Sequence, residues 1–425
     1  MRKPILHVSA ILIILSLALA ACGGAATEAP AATEAPAATE APVETPPPVA
    51  GEPAECAADQ FGCAVIHPGE TIKIGMGAPT TGDNADFGID ISQGAMIAVQ
   101  DFGQFEGFNF ELVAEDDQGA PEGGAAVANL LVSDPTVVAI EGHIFSGATE
   151  AAMPIYADAG LPMLSPSATR PDLTEKGSPV FNRVAFTDAD QGRFAAAYLY
   201  DTLGVSKLAV MHDGQAFGQG LAEVVSTQFA ALGGTVVATE AVTPGETDYS
   251  AILAAVAAAG PEGIYFGGYT PEAAVIVNQM GTAGMKGAVF FGCDGTFGAN
   301  FLTLTGANGE GAYGTALVPS SSPEKDAFDA AYQSQFGVAP GVLSPYSWNS
   351  YDAMGGLIFA VKSVAILGGD GNLYVPRGAL VDAVRSLKDY KGISGTITCS
   401  EVGECNASGP TFYVVQNGEW VAAAP

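Results

Sequence analysis

The chain has 425 residues, with 15 lysines and arginines against 46 aspartates and glutamates, and a formal net charge of −31 at pH 7. A surface this acidic repels phosphate backbones, which excludes nucleic-acid binding. The same charge favours solubility and says little about fold.

Arg2 and Lys3 precede an apolar stretch from Ile5 to Leu19. That stretch is too short for a comfortable membrane span and has the length of a secretory signal peptide, placed over residues 1–21. Leu19-Ala20-Ala21-Cys22 resembles the lipobox of bacterial lipoproteins, which implies cleavage before Cys22 and a lipid on its sulfur. An ordinary signal peptide with an incidental cysteine is the other reading. Residues 22–54 repeat the motif ATEAP and carry almost no apolar bulk. Such a tract stays extended and disordered and serves as a tether. No later segment has the length and apolarity of a membrane span.

The remaining residues are too many for one small core and suit two domains. Cys56 and Cys63 bracket one short loop, and Cys399 and Cys405 another. In an exported chain these spacings predict two local disulfides. Cys293 lies in an apolar run and reads as a buried thiol. The spacings lack a CxxC pair and histidines are few, so no metal site is expected, and no cofactor either.

From Thr71 the pattern alternates. TIKIGMGAP reads as a strand, and GIDISQGAMIAVQDFG as a helix whose buried face includes Ile89, Met96, Ile97 and Val99. FNFELVAED follows as a strand, PEGGAAVANLLVSD as a helix opened by Pro121, TVVAIEG as a strand, GATEAAMPIYADAG as a helix and LPMLSP as a strand. The alternation resumes at SKLAVMHD and runs to GAVFFGCD. PEKDAFDAAYQSQFG and SPYSWNSYDAMGGLIFAVKSVAILGG then read as helices, and GTITC with PTFYVVQNGEWV as a closing hairpin. Apolar strands alternating with helices predict an α/β protein with two doubly wound parallel-sheet lobes. Ligands of such sheets bind beyond the carboxyl ends of the strands. There the chain is small, polar or aromatic: GHIFSGAT, SPSATRPDLT, HDGQAFGQG, GGYTPE, GCDGTFGAN.

These segments, in this order, resemble the type I periplasmic binding proteins of branched-chain amino acid ABC transporters, over about residues 70–420. The resemblance implies two lobes joined by a three-crossing hinge, 68–187 plus 320–394 and 188–319 plus 395–425, with crossings near Asp188, Pro319 and Gly395. It implies an amino acid ligand held in the cleft, ABC permease subunits as partners, a monomer, and an extracytoplasmic, lipid-anchored location.

Residue by residue, the resemblance implies that Ser146 offers its hydroxyl to the ligand carboxylate, at a helix start whose free N–H groups suit an anion. Ser167 would give a backbone carbonyl and Thr169 a hydroxyl. Asp294 stands where the family usually has glutamate and would meet the ammonium. Tyr269, Phe217 (where tyrosine is common), Phe87 and Tyr346 would wall the cleft, and Ile144 and Phe145 the aliphatic pocket. The plainer readings are a cap for Ser146, a turn for SPSAT and a cap for Asp294. No G-x-S-x-G elbow, Walker A loop or GxGxxG is present, so an enzyme is not expected. The same fold could instead hold a short amide, urea or aromatic acid, or serve as a sensory subunit.

Overall fold

A computed structural model of the chain describes residues 51–405 and 409–423. The expected signal peptide, the lipidated Cys22 and the tether up to residue 50 lie outside the described residues.

Two α/β sheets form the frame. The first has six strands in the spatial order Gln104–Phe105, Phe108–Asp116, Ile72–Ala78, Val137–Gly142, Met163–Ser165, Phe181–Arg183. All its pairings are parallel except the edge pair of Gln104–Phe105 with Phe108–Asp116. The second has seven, in the order Glu419–Ala422, Thr411–Gln416, Tyr313–Ala316, Val289–Phe291, Gly263–Gly267, Lys207–His212, Thr235–Ala241. Thr411–Gln416 pairs antiparallel with both its neighbours, and all the other pairings are parallel. Ile72–Ala78 is flanked by Phe108–Asp116 and Val137–Gly142, and Lys207–His212 by Thr235–Ala241 and Gly263–Gly267, so in each sheet the winding reverses beside the first strand in sequence. A crevice opens at the strand ends there.

The strands form where apolar runs allow burial on both faces: Val137–Gly142 and Gly263–Gly267 are buried at every position. Helices Ala85–Phe102 and Ser347–Val364 pack together, with Met354, Leu357, Ile358 and Val361 buried on the latter. The expected face of Ala85–Phe102 is corrected in part: Ile97 is buried and Val99 packs against the core, as expected. Ile89 and Met96 are exposed, and the buried stripe runs through Phe87, Ile91, Ala95 and Ala98. These four follow the helical period, and their small residues admit a neighbouring helix.

The closing hairpin also differs. Thr411–Gln416 pairs with Glu419–Ala422 around Asn417–Gly418, both at positive φ, and along its other edge with Tyr313–Ala316. Thr396–Ile397 pairs instead with Tyr390–Lys391. Sequence reading missed a small antiparallel sheet made by Cys63–Ile66, Leu373–Pro376 and Ile366–Leu367. Cys56 is bonded to Cys63 and Cys399 to Cys405, while Cys293 is a buried free thiol. The second disulfide loop lies on the first sheet: Arg183 N donates to Gly403 O and Cys405 N to Arg183 O, each at 2.9 Å.

Candidate functional site

The reversal points of the two sheets face one cavity. It is small and is lined by Phe87, Ile144, Phe145, Ser146, Ser167, Thr169, Phe217, Tyr269, Asp294, Gly295 and Tyr346. Ten of these are the residues singled out in the sequence, gathered from positions 87 to 346. Gly295 is the addition.

On the first sheet's side, strand Val137–Gly142 ends in a turn that leads into helix Ser146–Ala159. Phe145 occupies the cap position and supplies no side-chain cap. Ser146 is therefore the first helical residue, not the cap, and its Oγ accepts a long hydrogen bond from Arg170 N at 3.4 Å. The helix's leading N–H groups have no partner within the helix and are a fit for an anion.

A second turn lies alongside. Ser165 Oγ donates to His143 O at 2.7 Å, and Ser167 Oγ donates to Ile144 O at 2.8 Å. Ser167 thus uses its hydroxyl to stitch the two turns together. Arg183, fully buried, donates from one terminal nitrogen to Ala168 O at 3.1 Å and Arg170 O at 2.7 Å. His143 is structural: its Nδ1 lies 2.7 Å from Asp117 Oδ2 and its Nε2 3.0 Å from Tyr156 OH, all buried.

The second sheet's side is acidic. Asp294 opens a short turn after strand Val289–Phe291, and the cap position belongs to Cys293. Asp294 N donates to Gln191 Oε1 at 3.1 Å, and Tyr346 OH donates to Asp294 Oδ2 at 2.6 Å. Asp294 Oδ1 is buried and accepts no hydrogen bond.

Beside it stands Asp188, which sequence reading used only as a lobe boundary. It is fully buried at the start of helix Asp188–Ala197. Its N donates to Thr169 O at 2.9 Å, and its Oδ1 accepts from Gln191 Nε2 at 3.0 Å. Its Oδ2 accepts none. Burial pushes both carboxyls above the usual carboxylate range, and the charge of Asp294 pushes Asp188 further. Two buried acids, each with a bare oxygen, create a strong demand for a proton or a cation. The signal for Asp188 was faint: an acid in the first turn of a helix is ordinary dipole complementarity.

Rings close the remaining wall. Phe145 stacks on Tyr269 with centroids 4.3 Å apart, and Phe87 and Phe217 pack against Tyr269 at 6.0 and 5.4 Å. Among the described residues no cluster of His, Cys, Asp and Glu could hold a metal ion.

A closed crevice between two α/β sheets, with a helix start and hydroxyls on one wall and buried acids on the other, defines a receptor for a small polar-ended solute. The chain belongs to the periplasmic binding protein family, whose pattern matches residues 71–417. It is 32% identical over 350 residues to "Leu/Ile/Val-binding protein homolog 1" of Brucella suis biovar 1 (strain 1330), covering 82% of this chain and 91% of that protein. Among solved structures it is similar to the leucine binding protein LivK of Thermotoga maritima, with TM-score 0.75, 27% identity, and 83% and 98% of the two chains covered. It is also similar to the branched-chain amino acid transporter substrate binding protein LivJ of Streptococcus pneumoniae, solved with isoleucine, with TM-score 0.73, 28% identity and the same coverages.

Proposed function

We propose that the chain is an extracytoplasmic receptor that captures an apolar α-amino acid of the branched-chain kind and delivers it to an ABC permease. The observation that carries this reading is the polarity of the cavity. Ser146 at a helix start and the acid Asp294 line one small space, and the buried Asp188 adds its charge to that of Asp294. A zwitterion satisfies both: its carboxylate meets the N–H groups and the Ser146 hydroxyl, and its ammonium meets Asp294, Asp188 and the Thr169 region. The rings and Ile144 leave only apolar surface for the side chain. The buried acids favour an ammonium over an amide, urea or aromatic acid, none of which would supply a counter-charge.

The names of the relatives support the same ligand class. The two sheets mark two lobes that close on the ligand by a hinge. The contacts of residues 403–405 with Arg183 favour a third crossing after Cys405 rather than at Gly395. The chain acts as a monomer held to the membrane through a lipid on Cys22. It performs no chemistry; the free energy for transport is supplied by the permease's ATP-driven partners.

Calorimetric titration of the purified chain against the twenty amino acids tests this. Heat is expected with apolar aliphatic amino acids and not with acidic or basic ones. Absence of heat with every amino acid rejects the reading. Replacement of Cys22 by serine should release the chain from the membrane fraction.

A further inference from the structure

We infer that Asp90 is a positioning residue for ligand capture: it holds the segment around residues 341–347 so that Tyr346 stands in the cavity wall. This rests on the reading of the cavity as an amino-acid site. Asp90 does not line the cavity itself. It is fully buried on helix Ala85–Phe102, one turn beyond Phe87, which does line it.

The two oxygens of Asp90 collect three hydroxyls from a distant part of the chain. Ser344 Oγ donates to Oδ2, and Tyr332 OH and Ser347 Oγ donate to Oδ1, each at 2.7 Å. None of these partners is a cation, so hydrogen bonds alone offset the burial of the carboxylate. Two helices that needed only to pack would do so at less cost with apolar side chains at this point. What the carboxylate adds is placement. Ser344 and Ser347 bracket Pro345 and Tyr346, so both ends of the short piece that carries Tyr346 are fixed to one group. Ser344 Oγ also accepts from Tyr346 N at 3.3 Å, and Ser347 Oγ accepts from Gly341 N at 2.9 Å. Nor can the piece sink toward helix Ala85–Phe102, since a Cβ on Gly94 would already lie 2.4 Å from Ser347 O.

The held segment faces the second sheet. Tyr346 OH reaches Asp294 there, and Val342 O accepts from Ala299 N at 2.8 Å. Hinge opening separates these groups. It leaves the bonds of Asp90 in place, because Asp90, Tyr332, Ser344 and Ser347 all belong to the proposed first lobe. Asp90 therefore sets where Tyr346 waits while the lobes are apart. A wall arranged in advance binds more tightly than one that must be ordered as the lobes close.

Titration calorimetry of the full chain with leucine, isoleucine and valine tests this. Asp90→Asn keeps the size of the side chain but puts an amide donor in place of one acceptor. It should weaken the tightest of the three amino acids about tenfold. The loss should not add to that of Tyr346→Phe: the double variant should bind within about threefold of Tyr346→Phe alone. Asp352 supplies the control. It is an equally buried acid, on helix Ser347–Val364, and accepts from Ile393 N and Ser394 N, each at 2.7 Å, neither of which lines the cavity. Asp352→Asn should stay within about threefold of the unaltered chain. Thermal melting checks folding, and Ser344→Ala, which loses only the donor beside Tyr346, takes the place of Asp90→Asn if that variant unfolds. Unchanged affinity in the variant, additive losses in the double variant, or an equal loss in Asp352→Asn overturns the role of Asp90 and leaves the receptor reading intact. An unaltered chain that binds none of the three amino acids overturns both.

Discussion

The phenolic hydroxyl of Tyr346 donates to Oδ2 of Asp294 at 2.6 Å, and so joins the segment ahead of helix Ser347–Val364 to the tip of the second sheet. The first of these packs with helix Ala85–Phe102 on the first sheet, so the bond spans the crevice. It also has an electrostatic effect. Burial raises the pKa of Asp294, while the Tyr346 hydroxyl favours its charged form.

Tyr346→Phe removes that donor and leaves the ring. A hydrogen bond to a charged group contributes about 1.5–3 kcal/mol, so ligand affinity at pH 7 should fall by roughly 10- to 100-fold. The loss should shrink as pH rises, because the more basic carboxyl of the variant needs a higher pH to ionise. Calorimetry at pH 6, 7 and 8 checks this; a pH-independent loss would mean that Tyr346 acts by shape alone.

Asp294→Ala deletes the main counter-charge of the ammonium. The expected weakening is about 2–5 kcal/mol, roughly 30- to 5,000-fold in affinity by calorimetry. Asp188→Asn should weaken binding less, since Asp294 still faces the ligand. Near-normal affinity in Asp294→Ala would place the ammonium elsewhere.

Arg183 supports the site from behind. Its Nε donates to Glu404 Oε2 at 2.9 Å, while its terminal nitrogens hold the Ala168 and Arg170 carbonyls and the Thr174 hydroxyl. Arg183→Met strands those acceptors in a buried setting and should cost about 3–5 kcal/mol of stability. Urea unfolding measures this. The variant should also bind ligand more weakly, because the turn carrying Ser167 and Thr169 loses its anchor.

Stability should depend on pH through buried acids. Asp90 is pushed up to about 6 by burial, against hydrogen bonds from Tyr332, Ser344 and Ser347 that favour its charge. Asp352 is likewise pushed up to about 6, and Asp213 to about 7. With folded values above unfolded ones, the native state binds more protons between them. The stabilising effect is present at pH 4 and is lost as pH rises through about 6 to 7. Melting temperatures of the unliganded chain should therefore fall from pH 5 to pH 7.5. Asp90→Asn should flatten part of that slope, by on the order of 2 kcal/mol; an unchanged slope would remove Asp90 from the account.

The alternation of strands and helices was legible because burial on two faces and burial on one stripe leave different local periods. The small, hydroxylated and aromatic residues after the strands were legible too, because ligands of wound sheets meet the chain there. Local pattern could not choose which side of helix Ala85–Phe102 goes inward, and the exposed Ile89 and Met96 show the cost. It could not reveal Asp188 either. That residue opens a helix like many surface acids, and only the approach of Asp294, more than a hundred positions later, makes it half of a buried pair. Element type follows from neighbours along the chain, whereas burial and charge coupling depend on what the other sheet brings across the crevice. The fold and most of the lining were therefore determined by sequence. The electrostatic demand of the cavity and the ring stack on its apolar wall were decided by tertiary structure.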